Sequence, residues 1–321
     1  MKTWSVIIPT RNEGAHIGKC LESLWRLRYD LSSVEVIVAD NGSVDRTLQV
    51  VSEYDDRLDI TVLQIPGVRV GAVRNAGARA ACGRFLAFLD ADCEVGPDWL
   101  EEASQLLEKR ATVIGAPYAL PSEAGWPARV WFWRFDRTRS GQVSYVPAGN
   151  LLLPRDTFWS IGGFDAEMAA NEDAQFCSRA RAAGFDVVAY ERLYIVHHGA
   201  ERNLKHFARR QLWHGSAVIN RAGLRANQRA IGLAAYTLAC VCCFMLAVLL
   251  GSPTALLACL LGLFVPAVVL TLAGRPWKTR LQDAPLLIIL IVTYSLARAA
   301  VLPIALLRGI PDLSRKTGRQ T

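Results

Sequence analysis

Over the first 120 residues, short apolar runs alternate with amphipathic stretches. Residues 4–8 form a β-rich run closed by Pro9, after which Ile17, Leu21 and Leu24 recur at helical spacing. Residues 34–38 predict a second strand ending at Asp40-Asn41-Gly42. A short helix is expected to start near Ser43 or Asp45, both good N-caps. Residues 60–65 predict a third strand, and the Ala-rich residues 71–82 a helix. The wholly apolar residues 85–89 predict a fourth strand that runs into Asp90-Ala91-Asp92. Pro97 opens a further helix, with Glu101 and Glu102 in its first turn, where the helix dipole favours acids. Repeated β-α units place the chain in the α/β class, with a mostly parallel sheet buried on both faces.

The middle of the chain is less regular. Residues 121–145, rich in Trp, Arg and Gly, are expected to form an irregular, mobile segment beside the site. Residues 148–153 predict a returning strand and Gly162-Gly163-Phe164-Asp165 a turn. Asn171-Glu172-Asp173 opens a helix that ends at Gly184, and residues 186–190 predict another strand. The pattern then changes. No Asp, Glu, Lys or Arg occurs from 231 to 274, and this stretch is broken at Gly251-Ser252-Pro253. It reads as two spans, 231–250 and 254–273, each near the roughly 20 residues that cross a bilayer core. A third apolar segment, 284–307, is interrupted by Arg298 and Pro303. Helices of a soluble core would alternate polar and apolar faces, and these do not.

Charge sharpens this division. Residues 1–197 carry 21 basic and 26 acidic groups, residues 198–230 carry 7 and 1, and residues 275–321 carry 8 and 2. The basic excess flanks the apolar spans, which suits anionic headgroups on the cytoplasmic side of a membrane. No nucleic-acid-binding motif accompanies it, so nucleic acid is not an expected partner. The start of the chain is too short and too polar for a signal peptide, and the N-terminal part is expected to stay in the cytoplasm. Three spans would put Arg308, Arg315, Lys316 and Arg319 outside, against the positive-inside rule; two spans and a re-entrant third would return them. The eight cysteines, four of them in the apolar tail, support neither a disulfide framework nor a zinc site.

In sheets of this kind ligands bind at the carboxyl ends of the strands. Three polar clusters fall there: residues 9–13, residues 40–43, and Asp90 with Asp92. Two carboxylates one residue apart suit a hard divalent cation, Mn2+ or Mg2+, with coordination positions left for phosphate oxygens. Capping and turn roles are the alternative for such a pair. Glu172-Asp173 reads either as a helix cap or as an acceptor-side base. One of His197 and His198 could complete a metal shell or contact a diphosphate, or serve a structural role. Residues 202–214 interleave basic residues with Phe207, Leu212 and Trp213, as an amphipathic helix on a membrane does. The other reading is a lid carrying Arg210 or Trp213. The turn after the first strand lacks G-x-G-x-x-G, which disfavours a nicotinamide dehydrogenase.

Val6-Ile7-Ile8-Pro9-Thr10-Arg11-Asn12-Glu13 resembles the opening of family 2 glycosyltransferases. Asp40-Asn41-Gly42-Ser43-Val44-Asp45-Arg46-Thr47 resembles their D-[DN]-G-S-x-D-x-T pattern. Arg74-Asn75-Ala76-Gly77, Asp90-Ala91-Asp92, Gly162-Gly163-Phe164-Asp165 and Glu172-Asp173 follow in the family's order, so the resemblance covers roughly residues 3–215. It implies a GT-A-type nucleotide-diphospho-sugar transferase fold, with C-terminal transmembrane helices added. It implies that Asp40, with Asn41 beside it, reads the donor base, a uracil base being favoured with guanine and thymine left open. The loop of Pro9, Thr10, Arg11 and Glu13 then holds the nucleoside, and Arg74 lies near the nucleotide or diphosphate. Asp92 binds the metal, Asp90 lies near ribose or metal, and Asp173 is the catalytic base of an inverting transfer. Gly149, Asn150 and Glu172, with Arg210 and Trp213, are the acceptor and lid candidates. Processive members carry Q-x-x-R-W where this chain has Arg209-Arg210-Gln211-Leu212-Trp213, a departure that favours transfer of one sugar.

The expected organisation is a cytoplasmic catalytic domain, 1–230, and a membrane anchor, 231–321. The first divides into a nucleotide-sugar half (1–120), an acceptor half (121–200) and a basic membrane-proximal segment (201–230). A multi-pass protein of the inner membrane with a lipid-linked or cell-envelope glycan acceptor, in polysaccharide biosynthesis, fits this arrangement. A polyprenyl-phosphate sugar synthase and a catalytically inactive membrane scaffold are the rivals.

Overall fold

The computed structural model describes residues 2–109, 112–116, 118–133, 140–218, 228–273 and 283–307. They fall into two compact units. The first comprises Met1–Glu123 with Asp136–Ala200, and the second Ala124–Phe135 with Glu201–Thr321.

The first unit is built on β1 (Trp4–Thr10), β2 (Val34–Asp40), β3 (Ile60–Gln64) and β4 (Phe85–Leu89), parallel and in the order β3-β2-β1-β4. Helices α1 (Ile17–Trp25), α2 (Thr47–Ser52) and α3 (Val70–Ala80) make the crossovers. After β4 come β5 (Cys93–Val95), α4 (Trp99–Lys109), β6 (Val113–Gly115) and β7 (Tyr118–Ala119). Next are α5 (Trp126–Trp133), which belongs to the second unit, then β8 (Gly141–Gln142), β9 (Asn150–Pro154) and α6 (Arg155–Ser160). The unit closes with α7 (Glu172–Ala182), β10 (Val187–Ala189) and β11 (Ile195–His197). Strand β9 joins antiparallel to both β4 and β6, extending the sheet to eight strands, while β5, β11 and β7 form a small second sheet.

The alternation along each strand explains the layers. Trp4, Val6 and Ile8, with Phe85, Ala87 and Leu89, pack on one face with Leu21 and Leu24 of α1 and with Leu100 of α4. Ile7, Leu86 and Phe88 pack on the other face with Ala78 of α3, Phe158 of α6 and Phe176 of α7. Apolar side chains of the central strands therefore meet helices on both faces, as a doubly covered parallel sheet requires. A Cβ on Gly77 would lie 2.5 Å from Ile7 Cγ2, so glycine there sets how closely α3 approaches β1.

Helix α2 starts at Thr47, near Asp45 as expected, and Asp45 accepts the Thr47 N–H at 3.0 Å from just outside the helix. Two expectations are corrected by the structure. The 121–145 segment, expected to be irregular, contains the helix α5 and the short strand β8. Its residues 134–139 lie outside the described residues. The strand expected at 148–153 begins at Asn150, because residues 147–149 form a turn closed by the Asn150 N–H on the Pro147 carbonyl at 3.0 Å.

Glu35 on β2 ties the amino ends of the central strands together. It accepts from Ser5 Oγ and from the N–H groups of Cys82 (2.7 Å) and Gly83 (3.2 Å). Burial alone would raise its carboxyl, but these donors outweigh burial and hold it below the ordinary glutamate value. A depressed carboxylate stabilises the fold above the unfolded-state value and loses that contribution as pH falls through the folded one. Glu35→Gln is therefore expected to lower stability at pH 7 by about 1 kcal/mol after allowance for solvent screening. In denaturant titrations the difference from wild type should shrink as the pH is taken below 4.5.

The second unit contains α5, α8 (Leu204–Val218), α9 (Gln228–Leu249), α10 (Pro253–Ala273) and α11 (Ala284–Leu307). Ile231–Leu249, Pro253–Thr271 and Ala284–Val301 are long and apolar enough to cross a bilayer, with mean hydropathies of 2.3, 2.4 and 2.0. Gly251, at φ +62°, turns the chain between the first two. Large apolar side chains such as Leu249, Leu250, Leu257 and Leu261 face outward, a surface that soluble proteins avoid and that associates this unit with a membrane. Hydroxyls inside these helices bond their own helix, as Thr237 does on the Leu233 carbonyl and Thr271 on the Ala267 carbonyl. Val130, Phe207, Leu287, Leu290 and Ile291 form the unit's own core.

Candidate active site

The site lies at the carboxyl ends of β1, β2 and β4. Strands β2 and β3 lie on one side of β1 and β4 on the other, which makes the β1/β4 gap the switch point where ligands enter such sheets. β1 pairs with β2 as far as Thr10 but with β4 only as far as Ile7. Pro9, which has no N–H, sits where that second pairing has ended.

Two loops interlock beyond the strand ends. Asn12, at φ +57°, accepts the Val44 N–H at 2.9 Å, and its own N–H donates to Ser43 Oγ at 2.9 Å. The Glu13 N–H donates to Thr47 Oγ1 and the Gly14 N–H to Asp45. Asp40 is buried, with its carboxylate accepting from the Gly42 and Ser43 N–H groups at 3.0 Å and from Ser43 Oγ. Asn41 bonds the backbone of Val68 with both ends of its amide. Arg11 is exposed at the rim.

Asp90 and Asp92 follow β4. The Asp92 carboxylate lies 3.4 Å from His197 Nε2, and Asp92, Cys93 and His197 bring one ligand atom each within 4.8 Å of one another. His198 turns away to Glu94 at 2.8 Å, so His197 is the histidine that shares the rim with Asp92. Burial, then Asp92 and Asp90, push the Cys93 thiol up and keep it protonated, which makes it a poor ligand for a hard cation. The carboxylate and imidazole are suitable donors for manganese or magnesium. Glu13 is raised by burial and then by Asp92, a crowding of negative charge that a cation would relieve. A Cβ on Gly199 would collide with the Asp92 carboxylate, so glycine leaves room for it.

Arg74 on α3 is buried and joins two parts of the site. Its Nη2 donates to Asp90 at 2.7 Å and its Nη1 to Glu172 at 2.5 Å. Burial disfavours the charge, but Asp90 and then Glu172 outweigh it and the guanidinium stays ionised. Burial pushes the Glu172 carboxyl up against the pull of Arg74. Asn171, at φ +65°, turns the chain into α7, an unusual backbone state that asparagine tolerates well. Asp173 sits in the first turn, accepting from the Ala174 N–H at 2.7 Å and from the Ala148 N–H at 3.2 Å.

The other motifs hold this frame. The Asn75 amide exchanges hydrogen bonds with Phe164 at 2.7 and 2.9 Å. Gly162 and Gly163 take φ of +91° and +66° in that turn. A Cβ on Gly71 would meet the Asp165 carbonyl at 2.6 Å.

A family model described as Glycosyl transferase family 2 matches residues 5–162, and one described as Glycosyl transferase family group 2 matches residues 85–277, more than half of the chain. The chain belongs to the family 2 glycosyltransferases. Glycosyltransferase AglE of Haloferax volcanii is 29% identical over 190 residues, 57% of this chain and 62% of AglE. The match spans 62% of AglE but as little as 19% of the length of other curated relatives. Staphylococcus aureus TarS 1–349 in complex with UDP-GlcNAc superposes with a TM-score of 0.55 at 18% identity, over 96% of this chain and 92% of that one. The mannosyltransferase PcManGT of Pyrobaculum calidifontis, in complex with GDP-Man and Mn2+, gives 0.61 at 16%, over 93% and 86%. These likenesses establish the fold, a GT-A-type α/β unit followed by apolar helices.

Within this family 2 glycosyltransferase, Pro9, Thr10, Asp40, Asn41, Glu13, Asp90, Asp92, Arg74, Glu172, Asp173 and His197 all belong to the first unit. Arg210, on α8, lies in the second unit and pairs with Glu201 at 3.5 Å; Trp213 is on the same helix, and its side chain is outside the described residues. Asn150, expected on the acceptor side, is fully buried. It accepts from Trp99 Nε1 at 3.1 Å and donates to the Ala116 and Leu193 carbonyls, so its amide works as a structural tie. Gly149 sits under Asp90, where any side chain would displace that carboxylate. Sequence reasoning missed Tyr118. Its ring packs 4.8 Å from that of His197, and burial and then Asp90 push its phenol up, keeping it a hydrogen-bond donor. No motif marks it, because only the pairing of β7 with β11 brings it to His197.

Proposed function

We propose that the chain is an inverting glycosyltransferase that moves a sugar from a nucleotide diphosphate sugar to a lipid-linked or cell-envelope glycan acceptor. The observation that carries this reading is Arg74, which joins Asp90, two residues before Asp92, to Glu172, the residue before Asp173. A donor-side charge cluster and an acceptor-side carboxylate thus share one rim. A bound nucleotide would meet the Thr10 hydroxyl, which is buried and without a partner. The Asp40 carboxylate accepts three bonds from its turn and has acceptor capacity left for a uracil imide; UDP-sugars are favoured on that ground.

Asp92 and His197 would hold a divalent cation, which supplies charge neutralisation for the departing diphosphate. Arg74 fixes Asp90 and Glu172, and Asp173, oriented by the Ala148 and Ala174 N–H groups, is the carboxylate that would face an acceptor. As the acceptor oxygen bonds to the anomeric carbon and the bond to the diphosphate oxygen breaks, Asp173 takes the hydroxyl proton. Attack opposite the leaving group inverts the anomeric centre. The basic flanks of the apolar helices support an inner-membrane protein with its catalytic part, 1–230, on the cytoplasmic side of the anchor, 231–321. That placement puts the acceptor at the bilayer surface.

The protein in detergent should turn over one of a panel of UDP-, GDP- and dTDP-sugars slowly when manganese is present. Asp173→Asn should bind that donor as wild type does yet transfer about 10²–10⁴-fold more slowly to an acceptor. Folded protein that turns over none of the panel with manganese supplied would overturn the reading.

A further inference from the structure

We propose that α8 and α11 hold the phosphate group of a membrane lipid, with Arg298 as its main ligand. This inference stands apart from the transfer reaction and concerns the second unit alone.

Arg298 lies within the third apolar span, about 21 Å along α11 at 1.5 Å per residue. Its side chain turns toward α8. Nη2 reaches Gln211 Oε1 at 3.4 Å, and the guanidinium carbon lies 5.0 Å from the centre of the Tyr294 ring. Nε is buried with no hydrogen-bond partner. Among the described residues no carboxylate lies within ion-pair distance of it. Arginine keeps its charge in proteins, and among the described residues this one is answered by one long bond to a neutral amide and by Tyr294, through its ring face and its phenol. Intramembrane charges are held where something on the pathway of function answers them.

The surroundings add positive charge. His214 on α8 is pushed down to about 4 by burial, then by Arg210 and Arg298, which places the three groups near one another. Glu201 is engaged by Arg210 at 3.5 Å. A guanidinium presents a two-pronged donor to a tetrahedral oxyanion. At a helix that crosses the bilayer, the oxyanion at hand is the phosphate of a lipid.

The test is native mass spectrometry of the full chain released from detergent, with phosphatidylglycerol, diacylglycerol without phosphate, and inorganic phosphate as the three probes. Wild type should retain one phosphatidylglycerol, no diacylglycerol and no inorganic phosphate at matched concentration. Arg298→Gln should weaken phosphatidylglycerol binding tenfold or more, the scale of a lost charge-assisted bond. Arg298→Lys, which keeps the charge without the fork, should fall between the two and serves if the glutamine variant misfolds. Arg57→Gln, on an exposed side chain of the first unit, should bind as wild type. Equal phosphatidylglycerol binding by both Arg298 variants and wild type, or equal retention of diacylglycerol, overturns the proposal. Retention of inorganic phosphate equal to that of the lipid assigns the site to a soluble anion and overturns the lipid.

Discussion

Asp92→Ala is expected to abolish manganese-stimulated donor turnover, a loss of about 10³-fold, while the protein stays folded. The size comes from the role: a cation opposite a departing diphosphate contributes several kcal/mol to the transition state, and about 1.36 kcal/mol is a factor of ten. Folding should survive because the Asp92 carboxylate meets Cys93 and His197 at the rim and lies outside both hydrophobic layers. The substitution should also remove high-affinity manganese binding measured by calorimetry, a readout independent of any acceptor. His197→Ala should weaken manganese binding about 10–100-fold. His198→Ala should leave it near wild type, since that ring is held by Glu94. A wild-type manganese isotherm in Asp92→Ala would remove the metal assignment altogether.

Arg74→Leu is expected to cost both the fold and the reaction. The guanidinium is buried between Asp90 and Glu172, and its removal leaves Glu172, itself buried, uncompensated. Breaking a buried pair in this way costs about 3–5 kcal/mol. For a unit of this size that is on the order of 10 °C in melting temperature. Arg74→Lys should not restore activity, because an ammonium cannot present two parallel edges to carboxylates on opposite sides. Arg74→Leu combined with Glu172→Gln should recover part of the stability, since the two residues are in contact and their effects do not add. The double variant should remain inactive, because Asp90 then lacks its anchor. Stability in Arg74→Leu within about 1 kcal/mol of wild type would show that the pair does not hold the site together.

Much of the site was legible in the order of its motifs. Arg74-Asn75-Ala76-Gly77 could be recognised as a unit, yet the tasks of its members could not be divided from the sequence. Arg74 is a charge bridge, Asn75 is a tie to Phe164, and Gly77 is a spacer against Ile7. All three roles depend on partners far along the chain. The same holds for His197 and His198, adjacent in sequence and equal in composition. The antiparallel pairing of β11 with β5 sets His197 opposite Cys93 and so beside Asp92, and strand alternation then sends His198 to Glu94.

By itself, the sequence determined the features that local periodicity sets. The parallel strands, their covering helices, the polar clusters at the strand ends and three apolar helices of membrane length all arise from hydrophobic spacing and turn residues. Those signals act over a few residues, so they survive without knowledge of the partner. Tertiary structure alone decided which polar residues are spent on architecture and which are left for chemistry. Asn150 satisfies its amide on Trp99, Ala116 and Leu193, and Asn75 ties to Phe164, whereas Asp92 and Asp173 lie at the rim. The physical reason is that a buried polar group takes whatever partner the fold brings within about 3 Å, and that partner is chosen by strand pairing and helix packing across tens of residues.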